Sequence, residues 1–442
     1  MEVLAIIIFV VTIAVIALDR FHITVVALTG GMAMLALGIV DQQDAFFSQE
    51  FGIDHSVIFL LIGLMIVVHV LEGTGVFEWL SIKAIKLGRG HPYRMLILLA
   101  AVAAGASAFF NNLTTVLLVA PIAVMVARLL KVDAVPYLIS VALASNIGGT
   151  ATLIGDPPNI MIGSRAGLSF NDFLINVTPV IIIVFIAFVI SIRVIWRGRL
   201  AVAPELREKV MELDATGAIT DRRTLVEALA VLALMLFGFF FPDLLHLPPA
   251  TVSLGGATLI LLIRNDRARE LLAGVDWETI FFFVGLFILV GGLAKSGVIS
   301  DMAGRLIDLT RGSMLATSMV VLWASSLSSA VVDNIPIVAT MNSMVVDVAR
   351  STYPHAGSLS QQLHQTGILA VWWALALGGC LGGNGTLVGA SANLVVARIG
   401  NRNGFPISFR RFLLYGMPLM LESIVISMIY IYVRYFLIGG AG

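Results

Sequence analysis

Apolar stretches long enough to cross a hydrocarbon core of about 30 Å recur from one end of the chain to the other. Residues 3–18, 57–71, 180–195, 225–241 and 424–438 are examples, and runs of this length predict membrane-spanning helices. Two kinds of interruption break the pattern. One is polar and short: Phe110-Asn111-Asn112-Leu113-Thr114-Thr115 and Val332-Asp333-Asn334-Ile335-Pro336. The other is rich in glycine: Ile147-Gly148-Gly149-Thr150-Ala151-Thr152-Leu153-Ile154-Gly155-Asp156-Pro157-Pro158-Asn159, and Leu381-Gly382-Gly383-Asn384-Gly385-Thr386-Leu387-Val388-Gly389 followed by Asn393.

The interruptions come in pairs because the chain repeats itself. Ile53-Asp54-x3-Ile58-Phe59-x3-Gly63-Leu64 matches Val275-Asp276-x3-Ile280-Phe281-x3-Gly285-Leu286 at an offset of 222, which Gly75-Val76 with Gly297-Val298 and Asn112 with Asn334 keep. The glycine-rich segments match at an offset of 234, which puts a gain of about a dozen residues in the polar loop 351–366. Leu28-Thr29-Gly30-Gly31 against Ser253-Leu254-Gly255-Gly256 extends the match toward the start of each half.

The pattern predicts an all-α polytopic membrane protein of two repeats, 1–200 and 224–442, with a charged cytoplasmic linker at 201–223. Each repeat reads as five transmembrane helices plus one re-entrant helical hairpin, at 94–130 and 314–350, and one helix of each is discontinuous. Ten crossings and two hairpins result. An odd number of crossings per repeat inverts the second against the first, a plan that many secondary transporters share.

Composition agrees: of 442 residues 59% are hydrophobic and only 12% charged, with a mean hydropathy of +1.00. No separate soluble domain fits. Residues 3–18 follow Met1-Glu2 rather than a basic segment and lack a small-residue cleavage site, so they read as the first span and not a secretion signal. A net charge of zero implies no nucleic-acid partner, and the single cysteine, Cys380, excludes an internal disulfide framework.

Charge position tests the plan, because Lys and Arg accumulate in cytoplasmic loops. It places 21 of the 27 basic residues on one side, including Arg20, Lys83, Arg94, Arg128, the set from Arg193 to Arg223, Arg264 and Arg398. The other side keeps Arg165, Lys295, Arg305, Arg311, Arg350 and Arg434, with the acidic loop 41–55. Both termini are then expected outside the cytoplasm.

Irregular backbone at membrane depth persists only where it faces protein or a wet cavity. Gly148, Gly149, Gly382 and Gly383 therefore mark broken helices, whose free N–H and C=O groups can bind ions. Close helix packing is the plainer use of such glycines. Packing alone does not require Asp156-Pro157-Pro158, or the pattern twice. The hairpin tips offer Asn111, Asn112, Thr114, Thr115, Asp333 and Asn334 as ligands for a small polar solute or ion, or as helix caps. Asn146, Thr150, Thr152, Asn159, Asn384, Thr386 and Asn393 supply further side chains on the broken spans.

Asp156 and Asp333 are the sharpest candidates, since an ionisable group inside a membrane marks an ion or proton pathway by default. A carboxylate locked to helix N–H groups is the alternative. His69 and Glu72 have apolar counterparts, Gly291 and Ala294, and read as interfacial; Lys295 at a helix end reads as snorkelling. Cys380 matches Asn146 in the repeat and reads as a small hydrophobe; Trp372 and Trp373 read as lipid-facing or packing residues. No metal-ligand cluster, zinc-spaced His pair, Gly-x-Ser-x-Gly motif or phosphate loop occurs, which speaks against a catalytic residue, an enzyme or a primary pump.

Asn111-Asn112-Leu113-Thr114-Thr115 and the run from Ile147 through Gly155-Asp156-Pro157-Pro158-Asn159 resemble the ion transporter superfamily. Within it the chain resembles the branch of arsenite efflux permeases, the melanosomal P protein and one class of sodium/proton antiporters. The dicarboxylate branch carries Ser-Asn-Thr tips and Gly-Ser-Pro-Pro-Asn, where this chain has Asn111-Asn112-Leu113, Asp333-Asn334-Ile335 and Asp156. Added carboxylates disfavour a dianionic substrate. The resemblance implies proton-coupled export of arsenite or antimonite, with Asp156 and Asp333 carrying the coupling cation and Asn112, Asn334, Thr152 and Thr386 lining the solute site. Sodium/proton exchange and transport of a small anion are the other readings. It implies no cofactor beyond H+ or Na+ as coupling ion, a bacterial or archaeal plasma membrane and a homodimer mate; the exposure and charge of the basic linker leave room for a separate ATPase subunit there.

Overall fold

The computed structural model describes residues 1–439 apart from 19, 49, 199, 201, 204, 208–211, 213 and 214. Among the described residues every regular element is a helix. Eight are long and apolar enough to cross a membrane: His55–Gly73, Asn112–Leu130, Thr178–Ile195, Arg222–Phe240, Trp277–Lys295, Met314–Val331, Thr366–Gly385 and Phe409–Ile438. Shorter apolar helices occupy Glu2–Ala17, Ile23–Ala36, Pro92–Ser107 and Pro249–Ile263. The chain is an integral membrane protein.

These eight do not map one for one onto the ten expected crossings. Asn112–Leu130 and Met314–Val331 are hairpin arms, whereas the expected first, second and seventh spans fall in the shorter set. The expected fourth span is split into Val135–Thr150, buried at every position, and Pro157–Ala166. Arg222–Phe240 begins inside the expected linker, most of whose 201–214 stretch lies outside the described residues. The polar loop 351–366 holds a short helix, Leu359–Leu363, capped by Ser358.

Helix punctuation recurs at equivalent places. Asp54 accepts from the Val57 N–H at 3.2 Å to start His55–Gly73, and Asp276 accepts from the Thr279 N–H at 3.1 Å to start Trp277–Lys295. Past the ends of these helices Gly75 and Gly297 turn the chain at φ 75° and 89°, a left-handed conformation that glycine adopts without steric cost.

A frame forms where Ile23–Ala36 packs on Trp277–Lys295 and Pro249–Ile263 packs on His55–Gly73. The contacts are backbone to backbone. A Cβ on Gly285 would lie 2.5 Å from the Leu28 nitrogen, and one on Gly63 would lie 2.6 Å from the Ser253 carbonyl oxygen. Ser253 Oγ donates to the Leu60 carbonyl at 2.8 Å across the same seam.

Around the frame, Pro92–Ser107 packs on Val135–Thr150, and Met314–Val331 packs on Thr366–Gly382. The second arms cross over: Ser391–Arg402 packs on Asn112–Leu130, and Asn334–Thr352 packs on Pro157–Ala166. Each hairpin is therefore held by both broken spans. Trp372 and Trp373 are fully buried, with Trp373 edge-on to Phe173, so they pack rather than face lipid. Lys295 forms ion pairs with Asp41 at 3.1 Å and with Asp44, more than snorkelling requires. His69 and Glu72 meet at 3.5 Å.

The frame yields a prediction. G63A and G285A force a methyl group into facing backbone and are expected to destabilise by about 1–3 kcal/mol. G304A, where a Cβ would meet nothing within 4 Å, is expected to be neutral. Melting temperatures of the three variants in detergent check the difference.

Candidate substrate and ion site

The two hairpin tips are built alike. Asn111 accepts from the Leu113 N–H at 3.0 Å, and Asp333 accepts from the Ile335 N–H at 3.1 Å. Each thus caps its second arm, as the plainer reading of the tips expects. The next residue in each tip, Asn112 or Asn334, is buried and points its amide toward a broken span.

Both broken spans close on their own glycines. A Cβ on Gly155 would fall 2.6 Å from the carbonyl oxygens of Gly149 and Ser107; one on Gly389 would fall 2.7 Å from that of Gly383 and 2.8 Å from that of Ser329. Gly148 and Gly382 lie against the backbone of Ala104 and Ser326 in the hairpins, so for this pair the packing role is realised. The carbonyls freed by the breaks are satisfied by two equivalent asparagines. Asn159 Nδ2 donates to Thr150 O at 3.0 Å and Thr152 O at 2.8 Å, and Asn393 Nδ2 donates to Gly383 O and Thr386 O, both at 2.9 Å.

The amides form a chain across the centre. Asn112 Nδ2 donates to Asn146 Oδ1 at 3.0 Å, and Asn146 Nδ2 donates to Asn384 Oδ1 at 2.8 Å and Asn393 Oδ1 at 3.2 Å. On the other side Asn334 Nδ2 donates to Asp156 Oδ2 at 3.2 Å, and Cys380 Sγ donates to Asn159 Oδ1 at 3.4 Å. Cys380 thus does toward Asn159 what Asn146 does toward Asn393, each reaching the asparagine of the other repeat.

Asp156 is 1% exposed and opens the helix Pro157–Ala166, yet its side chain makes no capping hydrogen bond. The groups acting on it are Cys380, Asn334 and the charge of Asp333. Asp333 meets the Ile335 N–H.

Both tips and Asp156 border a cavity of about 340 Å³. Its wall also carries His22, Asp276, Glu278, Ser391 and Arg398, with His22 and Glu278 paired at 3.2 Å. A separate void of about 50 Å³ lies beside Glu50, Asp54 and Arg165. There Ser164 Oγ donates to Asp54 Oδ2 at 2.6 Å, Arg165 Nη2 donates to Glu50 O at 3.2 Å, and Arg350 pairs with Glu50.

Of the residues singled out from sequence, Asn111, Asn112, Asp156, Asp333 and Asn334 border this cavity. Asn146, Thr150, Asn159, Asn384 and Asn393 form the network behind it. The hydroxyls of Thr152 and Thr386 are spent on hairpin carbonyls, of Ala108 and of Ala330 at 2.5 Å, so they tie each break to its hairpin instead of facing the void. Thr114 lies off the cavity, and Thr115 Oγ1 is buried without a hydrogen-bond partner among the described residues. Sequence reasoning missed Asp276 as a cavity residue, although the Ile-Asp repeat contained it, and missed His22 and Arg398, which no repeat marks.

Apolar helices broken at a cluster of amides and carboxyls that borders a cavity suit a membrane transporter. The chain belongs to the citrate transporter family, CitMHS, whose model matches residues 13–378, and so to the ion transporter superfamily that its motifs resemble. It is 45% identical to a 46 kDa membrane protein of Mycobacterium leprae, over 98% of this chain and 99% of that one. It is 43% identical to an uncharacterized transporter of Mycobacterium tuberculosis, over 99% and 100%. The human P protein is 29% identical over 96% of this chain and 59% of its own length. The crystal structure of the YdaH transporter of Alcanivorax borkumensis shares the fold, with a TM-score of 0.58 and 11% identity over 88% of this chain and 86% of that one.

Asn146 is the node of the amide chain. N146A leaves Asn112, Asn384 and Asn393 short of partners and is expected to cost about 1–3 kcal/mol. N111A removes one cap and is expected to cost about 1 kcal/mol. Thermal denaturation of the purified variants checks the order.

Proposed function

We propose that the chain is a proton-coupled secondary transporter that exports arsenite or antimonite, in which Asp156 and Asp333 carry the coupling cation. One observation carries this reading: a buried carboxyl, Asp156, and a half-buried one, Asp333, come from opposite halves of the chain to the wall of one cavity. Such groups are costly in a membrane and suit reversible cation binding. Four acids, Asp156, Asp333, Asp276 and Glu278, border the cavity against Arg398 and His22. A small neutral triol such as arsenious acid meets amides there, whereas free citrate, the substrate in the family's description, would meet like charge.

The two repeats are proposed to be inverted, each with five crossings and one re-entrant hairpin. The helix order over 2–195 recurs over 222–438, and the basic residues divide by side. The termini then lie outside the cytoplasm of a plasma membrane, and the cavity opens inward. Alternating access would close it and widen the void beside Glu50 and Arg165.

Sodium/proton exchange is the second reading, favoured by the same carboxyls, which can ligate Na+ directly. Transport of a small anion is favoured only by Arg398 at the cavity.

The test uses everted vesicles, with arsenite accumulation, sodium-induced pH recovery and citrate uptake measured side by side. Wild type is expected to accumulate arsenite under a pH gradient, and D156N and D333N to fall to the level of vesicles lacking the protein at equal expression. A sodium response without arsenite uptake moves the assignment to exchange. Undiminished proton-driven transport in both variants contradicts the role of the two acids.

A further inference from the structure

Away from the transport site, the start of the first hairpin and the end of Thr178–Ile195 enclose a second cavity, of about 790 Å³. Arg94 enters it from the hairpin, Arg193 and Arg197 from the end of the span, and Arg207 from the segment that follows, with His91 beside them. Among the described residues no aspartate or glutamate lines it. One donor in the wall is also unused: Arg207 Nη2 reaches Val202 O at 3.3 Å, but its Nε is buried without a hydrogen-bond partner among the described residues. Guanidinium groups in such number favour a phosphate, which they bind through paired N–H donors.

We propose that this cavity holds the headgroup of an anionic phospholipid. A phosphate in solution would meet the same arginines, but the surface leading to the cavity is built for an acyl chain. Ile182, Ile186, Ile190 and Val194 are all exposed and follow one another at four-residue spacing, a stripe along one face of a helix. Val194 ends the stripe and also lines the cavity. Tyr93, in the cavity wall, donates its hydroxyl to the Trp196 carbonyl, and Trp196 packs on Tyr415 with ring centroids 4.3 Å apart. Aromatic clusters of this kind sit at the level of lipid headgroups. Basic pockets between spans on the cytoplasmic side are where anionic headgroups bind. A lipid here bridges the base of the hairpin that carries Asn111 and Asn112 to the last span of its repeat.

The experiment uses the purified full-length chain, stripped of lipid in detergent, with dioleoylphosphatidylglycerol, dioleoylphosphatidylcholine or inorganic phosphate added. Binding is read by native mass spectrometry and by melting temperature. Phosphatidylglycerol is expected to be retained and to raise the melting temperature, while the other two do neither. Replacing two arginines, R193Q/R197Q, is expected to weaken retention about 30-fold, which corresponds to about 1 kcal/mol per arginine. R193K/R197K keeps the charge but loses the paired donors and is expected to bind between wild type and R193Q/R197Q, which separates lost recognition from lost fold. Equal stabilisation by phosphatidylcholine, equal stabilisation by inorganic phosphate, or unchanged phosphatidylglycerol retention in R193Q/R197Q would each overturn the proposal.

Discussion

A helix cannot be broken inside a bilayer unless something replaces the hydrogen bonds the break removes, and here two asparagine amides do so. Asn159 and Asn393 each spend their N–H groups on the loosened carbonyls of their own span. That leaves their carbonyl oxygens facing the centre, where Asn146 and Cys380 reach them. The glycines serve the same end by letting the backbone of each break lie on itself and on its hairpin. Thr152 and Thr386 then fasten the hairpins to the breaks. The tips are held in place, and with them the cavity.

The halves share this scaffold and differ in its chemistry. Asn146 stands where the second half has Cys380, and Asp156 where it has Ala390. Asn112 consequently bonds within its own half, whereas Asn334 crosses to Asp156 in the other. The acids are likewise unequal: Asp333 is partly committed as a helix cap, while Asp156 caps nothing. Asp156 takes its one amide from the hairpin tip of the other half, Asn334.

Much of this was legible in the sequence because a membrane leaves few ways to hide polar backbone. Length and hydropathy marked most of the apolar helices, and the repeat offsets paired the tips with the breaks before any geometry was known. What the sequence did not carry was division of labour. Thr152 and Thr386 read as solute ligands because hydroxyls near a break are chemically able to ligate; only the positions of Ala108 and Ala330 reveal them as ties. Asp276 read as a repeat marker, and His22 and Arg398 reach the cavity through the packing of helices distant in sequence. The number of crossings was also hard to read, since a hairpin arm such as Asn112–Leu130 is as long and apolar as a span.

The central claim is that Asp156 and Asp333 take up and release the coupling proton. Infrared difference spectra of the reconstituted protein between acid and alkaline buffer test it most directly, through the carbonyl stretch of protonated carboxylic acids. The account predicts a band in wild type that loses part of its intensity in D156N, part in D333N and nearly all in the double variant. A wild-type band that both substitutions leave untouched would contradict it.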